Sequence, residues 1–93
     1  MNQRAADILI EAGLRGVPQI QGEYRKGDGR CALGVLLDAY GIKYYKHSAF
    51  QCTSEIAEEY GFSPGEMYQV IKMNDAGVDF IGIARKMLKE EGT

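Results

Sequence analysis

Four places in this 93-residue sequence hold residue types whose spacing could do chemistry. The first is Gly27-Asp-Gly-Arg-Cys-Ala-Leu-Gly34, a glycine-rich turn that runs into an apolar stretch. A helix starting there would offer backbone N–H groups to an anion. Arg25, Lys26 and Arg30 stand beside it in sequence, and Lys43 and Lys46 join them if the chain returns. The turn lacks the Gly-Lys-Ser/Thr of a P-loop and the leading strand of a dinucleotide fingerprint. It reads as a contact for phosphate, a small ligand or an acidic partner, or else as a plain capped turn with solvated charges. The second place is Lys43-Tyr44-Tyr45-Lys46, two aromatic rings between two cations, which suits a contact patch on a partner protein.

The third place is the set Cys31, His47 and Cys52, which includes the sole histidine. None of the close Cys/His pairings of structural zinc is present. A cysteine nucleophile needs an exposed thiolate beside a base, whereas Cys31 opens an apolar run. No metal, no cofactor and no enzymatic activity are therefore expected, and both thiols are read as reduced. A Cys31–Cys52 disulfide stays open, because sequence does not give their separation.

The fourth place is Ser54 to Lys72, which has the outline of a helix-turn-helix: small Ala57, a turn at Gly61, then Met67 and Val70 to seat a second helix. That helix would present Tyr68, Gln69 and Lys72 to a major groove. Residues 53–72 nevertheless carry a net charge of −3, facing a polymer whose binding rests on neutralised phosphates. An αα corner serving the core is the competing reading.

The elements that would position these groups are mostly helical. Cys31 to Tyr40 contains one charged residue, Asp38, and is apolar nearly all round, the mark of a buried helix. It is too short to span a membrane. Gly41 supplies its left-handed stop, with Ile42 folding back as the cap contact. Before it, Asn2 caps a helix carrying Ala5, Ile8, Leu9 and Ala12, with Gly13 expected to close it and Leu14 to make the cap contact. Pro18 and Gly22, Gly27 and Gly29 break the helical period. Asp28 is expected to cap the central helix, with Arg30 in its first turn.

After it, a helix is expected from Thr53 to Tyr60. Ser63-Pro64-Gly65-Glu66 forms a capping box for the next, with Met67, Val70 and Ile71 as its apolar stripe. Asn74-Asp-Ala-Gly77 ends that helix. Asp79 caps a last one, whose apolar face is Phe80, Ile81, Ala84, Met87 and Leu88. The expected architecture is mainly α: one domain over 1–93, a compact bundle of about five short helices around a buried central helix (31–40). A two-stranded β ribbon pairing 20–24 with 42–46 is left open.

Composition fits a soluble globular chain: 45% hydrophobic, six Tyr, three Phe and no Trp. The net charge of −2 is unevenly spread, +3 over residues 15–47 and −4 over residues 48–93. A general nucleic-acid binder would be basic overall. The N-terminal residues follow an amphipathic helical pattern containing Asp7 and Glu11 rather than a leader's, which points to the cytoplasm.

Taken with Gln21-Gly22 before it and Asn74-Asp-Ala-Gly77 and Phe80-Ile-Gly-Ile-Ala84 after it, Arg30-Cys-Ala-Leu-Gly-Val-Leu36 resembles a set of small proteins of unknown function encoded by bacteriophages, prophages and actinobacteria. The resemblance covers Ala5 to Leu88. It departs at Gly82, where the pattern usually has an acidic residue, and at Ala32, where it often has a second cysteine. It implies a compact cytosolic domain of phage origin and brings no catalytic residues. The expected function is a non-catalytic accessory protein that binds a host or phage protein, with no membrane partner. A DNA-binding regulator is the alternative; it would need a homodimer to concentrate its few cations.

Overall fold

The computed structural model describes residues 2–41 and 64–91. The expected helix at 53–60, the ribbon segment 42–46, the capping Ser63, His47 and Cys52 lie outside the described residues. Within them the protein has four helices and one two-stranded antiparallel sheet, so it is mainly α with a small ribbon.

Helix α1 (Gln3–Leu14) starts where Asn2 Oδ1 accepts the Ala5 N–H at 2.9 Å, and it buries Ala5, Ala6, Leu9 and Ala12. Its end is not at Gly13. Gly16, at φ 76°, takes the left-handed position; Gly16 N donates to Gly13 O and Val17 N to Ala12 O, a Schellman pair. Val17 packs against the core as the cap contact, whereas Leu14 is 76% exposed. Gly13 has a different use. A Cβ there would lie 2.8 Å from Ile81 Cγ1, so the missing side chain lets the last helix pass close by.

The ribbon forms locally rather than from 20–24. Strand β1 (Arg25–Lys26) pairs with β2 (Gly29–Arg30), Arg25 opposite Arg30, around a turn in which Gly27 has φ 59°. On its other side Arg30 donates its N–H to Pro18 O and accepts from Ile20 N. The backbone at residue 30 is thereby held on both edges, so the helix begins one residue later. Cys31, not Asp28, is its N-cap, with Sγ accepting the Gly34 N–H at 3.3 Å.

Helix α2 (Ala32–Ala39) is the buried centre. Ala32 through Leu37 are all buried, and Leu33, Leu36 and Leu37 are fully so, each stabilising the fold by about 2 kcal/mol. Burial ends there, since Asp38 and Ala39 are exposed. Gly41, at φ 72°, stops the helix as expected. Helix α3 (Pro64–Asp75) opens on Pro64 and buries Met67 and Val70; Gly77 N to Asn74 O and Val78 N to Met73 O close it in a second Schellman pair. Helix α4 (Phe80–Glu91) is capped by Asp79 Oδ1, which accepts from Gly82 N at 2.7 Å. Its core residues are Phe80, Ile83, Ala84 and Met87; Ile83 takes the buried place expected of Ile81, which is half-buried. Helix α1 packs chiefly on α4, while α2 touches α1, α3 and β2.

One close approach fixes the loop to the core. A Cβ on Gly34 would lie 2.1 Å from the Tyr24 carbonyl oxygen, so α2 meets the backbone of residue 24 directly. Gly34→Ala should lower stability by about 2–3 kcal/mol in urea unfolding, because backbone must move. Gly27→Ala, with open space around it, should lose only about 1 kcal/mol, the cost of a left-handed alanine. Equal losses would refute the close packing.

Candidate functional site

Residues 17–31 contain little regular structure, so their backbone needs partners other than a sheet or helix ladder. Some lie within the loop, where Ile20 N donates to Arg30 O and Cys31 N to Tyr24 O, and Asn74 supplies another at Ile20 O. This asparagine lies on α3 at the helical spacing of Met67 and Val70, hence in a core position, and is fully buried. Its Oδ1 accepts from Gln19 Nε2 at 2.8 Å and from the Ala32 N–H at 2.9 Å, and its Nδ2 donates to Ile20 O at 2.8 Å. Gln19 Nε2 also donates to Val78 O, Gln21 Nε2 donates to Asn74 O at 3.2 Å, and Gly22 N donates to Asp75 Oδ1 at 3.2 Å. One polar seam thus joins the loop, the start of α2 and the end of α3.

Where the seam meets the surface there is a cavity of about 330 Å³, bounded by Gly22, Glu23 and Tyr24 on one side and by Cys31, Ile71, Asn74 and Asp75 on the others. Burial pushes the Cys31 thiol up, outweighing the Gly34 N–H that favours the thiolate. Asp75 pushes it further up. Cys31 is therefore a neutral thiol at neutral pH. A second cavity of about 330 Å³ lies between α1, α2 and the hairpin, with Arg15, Asp28, Arg30 and Asp38 among its lining residues.

The cations expected to act together are used differently. Arg25 and Lys26 are exposed on β1. Arg30 is turned into the fold: its Nε pairs with Asp38 Oδ2 at 2.5 Å, and Nη1 donates to Gly27 O and Gly29 O at 2.8 and 2.7 Å. It is a strut of the turn. The helix start expected to receive an anion is occupied from inside, since Ala32 N donates to Asn74 and Gly34 N to Cys31. Lys43, Tyr44, Tyr45 and Lys46 lie outside the described residues. Tyr68, Gln69 and Lys72 are all exposed on α3, with Tyr68 and Lys72 one turn apart on one face; Tyr68 is 66% exposed. Among the described residues no cluster of three or more His, Cys, Asp or Glu could hold a metal ion, and no helix is long and apolar enough to cross a membrane.

The helix end that the sequence places at residues 74–77 is where α3 stops, but the sequence reading assigns no role to the Asn74 side chain. The signal was an amide placed where the 67–70–74 register demands an apolar side chain.

The thiol makes stability depend on pH. A folded pKa above the unfolded value means that stability is fully present below the unfolded pKa and is lost as pH rises through the folded one. The stability difference between the native chain and Cys31→Ala should therefore be constant up to about pH 8 and shrink by about pH 10. A difference that stays flat in urea unfolding across that range would contradict the buried neutral thiol.

No family model, curated protein or solved structure matches this chain.

Proposed function

We propose that the chain is a small non-catalytic accessory protein of the phage type, working in the cytoplasm by binding the surface of a host or phage protein. The observation that carries this reading is the hairpin at 25–30. Arg25 and Lys26 project from a turn whose shape is set by the Arg30 contacts and by the close approach of Tyr24 and Gly34. A cationic contact that is already ordered loses little entropy on binding, and it suits an acidic patch on a partner. The Gly27–Gly34 turn is not carried forward as a phosphate site, because two of its N–H groups are already bonded within the fold.

A second reading has one observation in its favour. Tyr68, Gln69 and Lys72 all stand exposed on α3, as a recognition helix would require. The net charge of the 53–72 stretch counts against it.

The two readings separate in one set of variants. Arg25→Glu/Lys26→Glu and Lys72→Glu should both fold with native circular dichroism. Under the protein-binding reading, crosslinked partners recovered by the native chain are lost with the hairpin variant and kept with Lys72→Glu. Under the DNA reading, a salt-sensitive gel shift on duplex DNA is lost with Lys72→Glu. Recovery of the same proteins by the native chain and the hairpin variant would refute the hairpin contact.

A further inference from the structure

The cavity beside the polar seam differs from the rest of the 17–31 region in the sign of its charges. Among the described residues its charged lining is Glu23 and Asp75, both exposed, with no described lysine or arginine beside them. Deeper in are Cys31, buried and held as a neutral thiol, and Ile71, half-buried. Asp75 spends Oδ1 on the Gly22 N–H, which fixes the carboxylate at the edge of the space. Apolar surface with two carboxylates at the rim matches an apolar stem that ends in a positive charge. The stem leaves water while the charged head stays solvated beside the acids. The volume of about 330 Å³ sits at the small end of ligand pockets, which suits a short aliphatic chain rather than a coenzyme.

We propose that this cavity, between residues 22–24, Cys31 and the end of α3, binds an organic cation with a short apolar stem: an alkylammonium group, supplied by a free amine or by a lysine side chain of a partner protein. The site is separate from the hairpin contact of Arg25 and Lys26 and stands or falls independently of it. It is already built, because the Asn74 seam sets the distance between the 22–24 segment and α3. Anions are disfavoured there by Glu23 and Asp75, and neutral stems gain only the apolar contact.

The test is a 1H–15N NMR titration of the full chain with n-butylammonium, with n-butanol as the neutral counterpart of the same length. Saturable shifts at Gly22, Tyr24, Cys31 and Asp75 are expected with the cation, and binding at least about fivefold weaker with the alcohol. The variant Glu23→Gln/Asp75→Asn keeps an acceptor for the Gly22 N–H and should lower cation affinity to that of the alcohol. Glu23→Gln alone, which touches no bond of the seam, gives the same direction of change if the double variant fails to fold. Nα-acetyl-lysine N-methylamide distinguishes the sources. Tighter binding than butylammonium points to a partner's lysine, and equal or weaker binding to a free amine; either supports the site. Shifts that do not saturate, equal affinity for alcohol and cation, or cation binding unchanged in both variants would overturn the proposal.

Discussion

One buried amide holds the irregular segment 17–31 to the rest of the described structure. Asn74 has no contact with water, and its side-chain oxygen and nitrogen meet the loop at Gln19 and Ile20 and the first N–H of α2 at Ala32. An unpaired buried donor or acceptor costs about 1–3 kcal/mol, so removing this side chain strands several groups at once. An apolar residue of similar size would take from Ile20 O and Ala32 N the partners they have here, and leave Gln19 Nε2 with Val78 O. That asymmetry explains why a polar residue occupies a core position of α3.

The consequences run outward from there. With Gln19 and Ile20 fixed, Arg30 pairs along both of its edges, the hairpin closes, and α2 has to start at Cys31. The first turn of α2 is then satisfied by a side chain from α3 and by a thiol instead of by solvent or an anion. The same ordering brings Tyr24 O against Gly34, where no side chain fits. Whatever the loop displays, the cationic pair at Arg25 and Lys26 or the carboxylate of Glu23, it displays from a fixed backbone.

Much of this architecture was legible in the residues. Local rules give the caps at Asn2 and Asp79, the proline start of α3 and the stop at Gly41, because each depends on neighbours within four residues. Burial of the 31–37 stretch follows from its apolar composition alone. The rest depends on long-range partners that a linear reading does not contain. Gly13 looks like a helix stop until Ile81 is placed against it. Asp28 looks like a cap until Arg30 is seen paired on both sides. Arg30 itself reads as one more surface cation, and only the fold reveals Asp38 and two carbonyls around it. Of the candidate contacts, Arg25, Lys26, Tyr68, Gln69 and Lys72 are exposed, while the glycine-rich turn has the Ala32 and Gly34 N–H groups bonded by Asn74 and Cys31.

The central claim is that the Asn74 side chain is a permanent part of the folded state and not a contact that opens locally. The Ala32 N–H reports on it directly, since its bond is to Asn74 Oδ1 and not to a helix carbonyl. Native-state hydrogen exchange on the full chain should show Ala32 exchanging only through global unfolding, with the same free energy and denaturant dependence as Leu36 in the middle of α2. Exchange of Ala32 through a low-energy opening, like that of a loop amide, would contradict the account.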